Sequence, residues 1–184
     1  NFIKVNWSYI NKLLHDRMKG DVKIRTFQRS MRKVLDPDRI MDSDINRIAY
    51  GADAGCYSKR PELVVMPNKE DGVSQAMEAL YKLRLPVTFR AAGTSLSGQS
   101  VTDSVLMVAA GDRWSKVEIL EDGAKVKVQP GITGTRLNQI LKPSGVQFGP
   151  DPASINSARI GGIIANNASG MCCGTAQNSY NTLA

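Results

Sequence analysis

The stretch Pro86-Val87-Thr88-Phe89-Arg90-Ala91-Ala92-Gly93-Thr94-Ser95-Leu96-Ser97-Gly98-Gln99 is the most informative part of the chain. A short apolar strand leads directly into a loop of small and hydroxyl-bearing residues, with an arginine at its entrance. Glycines permit positive φ and a close approach of the backbone to a ligand, and the hydroxyls add hydrogen-bond donors. The loop therefore predicts a site for a phosphate-bearing cofactor. A glycine-serine surface loop is the simpler alternative.

The loop lacks the defining features of two common nucleotide-binding loops. Gly93 and Gly98 have the spacing of a P-loop, but Gln99 stands where the lysine of a P-loop belongs. A Rossmann fingerprint requires a helix directly after the glycines, whereas residues 99–104 are polar and have no apolar helical period. We therefore expect backbone N–H groups and hydroxyls, rather than a helix N-terminus, to bind the phosphates.

A second glycine-rich block lies at residues 148–170. Gly161-Gly162 opens an apolar run, and Asn166-Asn167-Ala168-Ser169-Gly170 closes it. Asparagine amides both donate and accept hydrogen bonds, which suits a heterocycle such as a flavin pyrimidine or an adenine. The alternative interpretation is a tight turn followed by a closely packed helix of small residues.

Five stretches in order resemble the FAD-binding domain of the vanillyl-alcohol oxidase / p-cresol methylhydroxylase superfamily. They are residues 62–67, 90–98, 128–131, 149–152 and 160–170. Within the superfamily the chain is most similar to the D-2-hydroxyacid dehydrogenase branch, which acts on D-lactate, glycolate and D-2-hydroxyglutarate. The run at residues 166–174 is similar to that of large members fused to a C-terminal iron–sulfur region.

The resemblance implies an FAD that is bound non-covalently, because no histidine lies in any of these motifs. It places the FAD pyrophosphate at the loop and the flavin at the later blocks. The residues implied at the pyrophosphate are Arg90, Ala91, Ala92, Gly93, Thr94, Ser95, Leu96, Ser97, Gly98 and Gln99. Those implied at the flavin side are Pro130, Gly131, Pro150, Asp151, Pro152, Ser154, Gly161, Gly162, Asn166, Asn167, Ser169 and Gly170.

The function implied by the resemblance is the oxidation of a D-2-hydroxyacid by hydride transfer to FAD, followed by reduction of an unidentified electron acceptor. The family's catalytic groups and substrate domain follow the part of the sequence present here. We therefore expect an N-terminal fragment that is inactive alone, with no catalytic residue and no metal ligand of its own. Two alternatives stay open: a non-catalytic flavin-binding or electron-transfer module, and a different oxidoreductase reaction on the same scaffold.

The expected fold is α+β with two lobes, as in p-cresol methylhydroxylase. Residues 1–47 predict a helical segment, with helices over 5–18 and 26–35. Residues 48–103 predict a small parallel βαβ lobe that carries the pyrophosphate loop and whose helix is capped by Asn68. Residues 104–184 predict a larger, truncated antiparallel lobe with helices. It begins with a strand at 105–109 and contains a hairpin turn at Glu121-Asp122-Gly123.

Composition restricts the class further. The chain has 184 residues, 42% of them hydrophobic, and a net charge of +7. Its basic residues are scattered and only 6% of residues are aromatic, so we expect no nucleic-acid binding. No apolar run approaches the ~20 residues of a transmembrane helix, and three cysteines without a C-x-x-C pair predict neither a disulfide framework nor a zinc site. We expect a cytoplasmic location, with peripheral contact to the inner membrane through the electron acceptor as the alternative.

Overall fold

The computed structural model describes residues 7–174 and 176–184, without side chains at 7–17 and 19. Its α-helices are α1 (Trp7–Met31), α2 (Asp44–Ala49), α3 (Glu70–Leu83), α4 (Gly134–Leu141) and α5 (Ile160–Ala165). Its strands are β1 (Ile40–Met41), β2 (Leu63–Val65), β3 (Val87–Arg90), β4 (Val105–Val108), β5 (Val117–Leu120) and β6 (Lys125–Val128). The helices of this described part lack the long apolar run that a membrane crossing requires.

The first lobe is built on a four-stranded sheet of order β1-β2-β4-β3. Strands β2, β4 and β3 are parallel, with Leu106 opposite both Val64 and Thr88, and β1 is antiparallel to β2. The three parallel strands therefore end at the same edge of the sheet. The loop at residues 90–99 begins at that edge, where open α/β sheets bind their ligands.

The prediction that an antiparallel pattern begins at residue 104 is wrong. Strand β4 lies between β2 and β3 and pairs in parallel with both. Its sequence, Val-Leu-Met-Val, is an unbroken apolar run, and all four residues are buried, as is typical of a strand covered on both faces of a parallel sheet. We propose that the boundary between the lobes lies after Val108 rather than after residue 103.

Helices cover one face of this sheet. Phe27 and Met31 of α1 and Leu80 of α3 are fully buried against Leu63 and Met107. The predicted interruption at residues 19–25 is wrong, because α1 runs through it without a break. One glycine costs a helix about 1 kcal/mol, and anchoring of the C-terminal half of α1 in the core offsets that cost.

The start of α3 also differs from the prediction. The capping position is Lys69 rather than Asn68, and no side chain bonds to the free N–H groups there. Glu70 and Asp71 lie in the first turn instead, where acidic residues interact favourably with the helix dipole. Helix α3 is therefore stabilised at this end by charge rather than by a capping hydroxyl or amide.

The second lobe joins a β-hairpin to α4 and α5. Strands β5 and β6 pair antiparallel around the predicted turn, in which Asp122 has a φ of 53°. The core of this lobe consists of buried residues from three segments: Ile132, Leu137, Leu141, Ala158, Ile160 and Ile163. The predicted hairpin and the two-lobed α+β fold are therefore confirmed.

Candidate cofactor-binding cleft

An open cleft of about 620 Å³ lies between the two lobes. On the first lobe it is bounded by the ends of β3 and β4 and by the first turns of α3. On the second lobe it is bounded by Trp114, Pro130 and the small residues of α5. The lining residues are Glu70, Val73, Ser74, Phe89, Arg90, Ala91, Ala109, Trp114, Pro130, Gly161, Gly162 and Ala165. Its walls are mainly apolar, which suits the flat faces of ring systems.

The predicted pyrophosphate loop has the backbone that its glycines suggested. Gly93 has a φ of 74° and Gly98 a φ of 77°. A Cβ at Gly93 would overlap the guanidinium of Arg90, and one at Gly98 would lie 3.0 Å from the ring of Tyr57. The positive φ thus favours glycine at both positions, and a Cβ would in addition displace the Arg90 guanidinium or the Tyr57 ring.

Arg90 connects the start of the loop to residues 50–52. Its Nη1 donates hydrogen bonds to the carbonyl oxygens of Tyr50, at 3.2 Å, and of Ala52, at 2.8 Å. Its Cζ also lies 5.7 Å from the centre of the Tyr50 ring, within cation–π range. The guanidinium therefore holds this segment in place, while a contact between Arg90 and a pyrophosphate stays a prediction.

Residues 50–59, here termed the clamp segment, support the loop, and the sequence interpretation missed them. The Asp53 carboxylate accepts hydrogen bonds from the Gly55 N–H, at 2.8 Å, and from the Ser100 hydroxyl, at 3.1 Å. The Ala54 N–H donates to the carbonyl oxygen of Gly93 at 3.0 Å. The bond from Asp53 to the N–H two residues on is an Asx turn, and the sequence Asp-Ala-Gly was the signal that could have revealed it.

The two predicted blocks meet through their side chains and small residues. The amide nitrogen of Gln99 donates a hydrogen bond to the amide oxygen of Asn166 at 3.2 Å. The amide oxygen of Gln99 accepts a hydrogen bond from the Ser95 hydroxyl. A Cβ on Gly162 would lie 3.6 Å from that of Ala91. The start of the loop therefore packs against the N-terminal turn of α5.

The second-lobe wall is held by hydrogen bonds to three successive carbonyl groups. The carbonyl of Pro130 accepts from the Gly161 N–H at 3.0 Å, and that of Ile132 from the Ile160 N–H at 2.9 Å. The carbonyl of Gly131, between them, accepts from Nη1 of Arg159 at 3.0 Å. Residues 130–132 are thus fixed to the start of α5.

Trp114 links the two lobes and was not predicted. Its side chain is buried, and its Nε1 donates to the carbonyl oxygen of Pro67 in the first lobe at 2.7 Å. Its own carbonyl accepts from the Gly131 N–H at 2.7 Å. Because Trp114 also lines the cleft, it joins the wall of the candidate site to both lobes.

Glycines keep the wall of the second lobe thin. A Cβ at Gly161 would lie 2.6 Å from the Cβ of Pro130, and one at Gly170 would collide with the carbonyl oxygen of Asp151. Asn167 has a φ of 45°, and its amide oxygen accepts from the Tyr180 N–H at 2.9 Å. The backbones of Asp151 and Gly170 are therefore in contact, and the amide oxygen of Asn167 is occupied by a backbone N–H group.

The structure gathers the predicted residues unevenly. Arg90, Ala91, Pro130, Gly161 and Gly162 line the cleft itself. The rest of the loop, Gly131 and residues 166–170 do not line it, and Asp151 of the proline-rich stretch at 150–154 lines a second pocket beside α4. The lining contributed by α3, by Phe89 and by Trp114 was missed because none of these residues belongs to a glycine-rich motif.

Comparison with curated proteins finds relatives that are much longer than this chain. It is 33% identical over 168 residues to the glycolate oxidase subunit GlcD of Escherichia coli (strain K12), covering 88% of this chain and 33% of that protein. It is 32% identical over 128 residues to the D-2-hydroxyglutarate dehydrogenase of Pseudomonas putida, covering 68% of this chain and 13% of that protein. The chain thus spans a third or less of the length of these relatives.

Solved structures share the fold. An alkyldihydroxyacetonephosphate synthase matches with a TM-score of 0.72 at 21% identity, over 83% of this chain and 31% of that one. A p-cresol methylhydroxylase matches with a TM-score of 0.64 at 12% identity, over 79% of this chain and 30% of that one. The family model described as "FAD binding domain" matches residues 61–184. Since that match covers more than half of the chain, the chain belongs to the FAD-binding domain family.

Proposed function

We propose that this chain is the FAD-binding part of a flavin-dependent oxidoreductase that oxidises a D-2-hydroxyacid. The observation that carries the proposal is the meeting of the loop at 90–99 with the glycine-rich wall at 161–170 across one cleft. The choice of substrate class is supported by the names of the relatives, which include a glycolate oxidase subunit, a D-2-hydroxyglutarate dehydrogenase and the D-lactate dehydrogenase [cytochrome] of Kluyveromyces lactis.

The residues present fit FAD. Residues 90–99 offer backbone N–H groups and hydroxyls on a glycine-dependent turn, and we assign the pyrophosphate to them. The cleft offers apolar walls for a planar ring, and Gly161 and Gly162 line it without side chains. We assign the flavin side to Pro130, Gly131 and to residues 150–154 and 161–170. When bound, FAD supplies the two-electron redox chemistry that amino-acid side chains lack.

The side chains of this chain bind and orient the cofactor. The clamp segment and Arg90 hold the loop in place: the Ala54 N–H binds the carbonyl of Gly93, and Arg90 binds the carbonyls of Tyr50 and Ala52. Trp114 and the carbonyls at 130–132 hold the opposite wall. Preorganised donors of this kind bind an anion without rearranging. They strengthen binding because no free energy is spent on ordering the loop. The groups that bind the substrate and remove its hydroxyl proton are assigned to the part of the protein outside this chain.

The remaining proposals concern the route of the electrons. We propose that FAD is held without a covalent bond, that an iron–sulfur region beyond this chain receives its electrons, and that the protein is cytoplasmic. The similarity of residues 166–174 to iron–sulfur-linked relatives supports the proposal of an iron–sulfur region.

Three measurements test these proposals. Acid precipitation should leave FAD in the supernatant, and the full-length protein should contain iron and acid-labile sulfide in equal amounts. Cell fractionation should recover it with cytoplasmic markers.

The substrate is tested by anaerobic titration of the full-length protein with matched D- and L-enantiomers of lactate, malate and 2-hydroxyglutarate, and with glycolate. We expect glycolate or at least one D-acid to bleach the visible flavin band, and the L-enantiomer of any active D-acid to leave it unchanged. A flavin that dithionite bleaches but no hydroxyacid does would instead favour an electron-transfer module. A full-length protein that binds no FAD would contradict the assignment of the cleft.

A further inference from the structure

Arg159 is a half-buried cation whose hydrogen bonds are incomplete. It immediately precedes α5. Its Nη1 donates to the carbonyl oxygen of Gly131 at 3.0 Å, but its Nε is buried and has no acceptor. Among the side chains that the structure describes, which exclude those of residues 7–17 and 19, no carboxylate lies within ion-pair distance of its guanidinium. The charge of Arg159 is therefore uncompensated within the described chain.

Two other shielded arginines of the chain lie beside a carboxylate. Arg47, with 17% of its side chain exposed, pairs with the Glu62 carboxylate at 2.9 Å and also donates to a backbone carbonyl. Arg39 has a buried Nε too, but the Asp38 carboxylate lies 3.6 Å from it. A guanidinium does not lose its charge in a protein, and a buried donor without an acceptor is costly. Arg159 thus differs from Arg39 and Arg47, because it combines a buried, unpaired Nε with the lack of a neighbouring carboxylate among the described side chains.

The position of Arg159 indicates which anion it could meet. Pro130 and Gly161 line the cleft. Gly131, to which Arg159 donates its hydrogen bond, directly follows Pro130, and Gly161 lies two residues after Arg159 in the chain. Gly162 packs against Ala91, the first residue after β3 and the start of the loop assigned to the pyrophosphate. Arg159 therefore adjoins, through Gly131 and along the chain, the wall that packs against this loop, and Arg90, the cation at the entrance of the loop, is already engaged by two backbone carbonyls.

We propose that Arg159 supplies the counter-charge for the pyrophosphate of the bound dinucleotide. This inference rests on the proposed function and adds a residue that lies outside the set implied by the family resemblance. Arg159 donates to Gly131 through one nitrogen, which leaves the planar fork oriented, and its remaining donors are available to phosphate oxygens. Arginine suits this task because its donors match phosphate geometry in pairs.

The test compares three ligands on the deflavinated full-length protein: FAD, ADP and riboflavin, which lacks the pyrophosphate. Arg159→Met should weaken FAD and ADP about tenfold to a hundredfold, the range of a hydrogen bond to a charged group. Riboflavin binding should change less than about twofold by the same reasoning. Arg159→Lys should retain part of the affinity, because it keeps the charge but loses the fork.

Arg136→Met is the matched control. It removes the same charge from the same lobe, and Arg136 donates through Nη1 to Gln139 on its own helix. It should leave all three affinities unchanged. Equal weakening of FAD, ADP and riboflavin by Arg159→Met, together with a lower melting temperature, would assign Arg159 a structural role and overturn the inference. Unchanged FAD and ADP affinities in a well-folded Arg159→Met protein would overturn it while leaving the proposed function intact. A wild-type protein that binds neither FAD nor ADP would overturn both.

Discussion

Replacing Gly93 by alanine tests the structural basis of the loop. The φ of 74° costs an L-residue about 1 kcal/mol. The new Cβ would also lie 2.6 Å from the Cζ of Arg90, so the guanidinium must leave the carbonyls of Tyr50 and Ala52. The side chain of Arg90 is partly exposed, and we assign each lost bond about 1 kcal/mol. The free energy of unfolding should therefore fall by about 3 kcal/mol, with a matching loss of FAD affinity as the loop is displaced.

Two controls separate the backbone cost from the collision. Gly145 has a φ of 71° and open space around its Cβ position, so Gly145→Ala should cost only about 1 kcal/mol. In a protein that already carries Arg90→Ala, Gly93→Ala should likewise cost only about 1 kcal/mol, because the collision is gone. Urea unfolding of the deflavinated full-length variants measures all three. Equal effects of Gly93→Ala and Gly145→Ala, or full additivity with Arg90→Ala, would refute the reasoning.

Gly170→Ala should destabilise the protein more than Gly174→Ala, because the first Cβ collides with the Asp151 backbone. The second meets open space and costs only about 1 kcal/mol, as for an L-residue at the Gly174 φ of 56°. Limited proteolysis and thermal melting compare the two, and equal stability would contradict the contact. Trp114→Phe should lower the free energy of unfolding by about 1–3 kcal/mol, since it leaves the carbonyl of Pro67 without its 2.7 Å donor. Chemical unfolding measures this loss, and a value near zero would mean that the bond contributes nothing between the lobes.

The parts of the fold that could be predicted are those with a local signal. The Asp122-Gly123 turn and the apolar strand before Arg90 each carry their pattern within a few residues. Strand β4 was recognised as a strand, but its parallel pairing was not, because pairing partners distant in sequence leave no local mark. The continuous helix through Gly20 was missed for the opposite reason: tertiary packing of Phe27 and Met31 outweighs a local glycine.

The site divides in the same way. The glycines of the loop and of the α5 wall could be predicted, because positive φ and close backbone approach restrict the residue type directly. The clamp segment, Trp114 and Arg159 could not, because aspartate, tryptophan and arginine are used in many settings. Their roles depend on which backbone carbonyl or hydroxyl lies opposite, and Ser100 is 47 residues from Asp53 in the chain.

The burial of Trp114 at the edge of the cleft gives the protein an internal optical reporter. The chain contains two tryptophans, and this one is both shielded from water and part of the cleft lining. The emission of its indole overlaps the absorption of a flavin. Energy transfer over such a short distance would therefore quench the fluorescence of Trp114 when the cofactor binds. Loading of the cleft can therefore be followed in real time without a label, and the Trp114→Phe protein provides the blank.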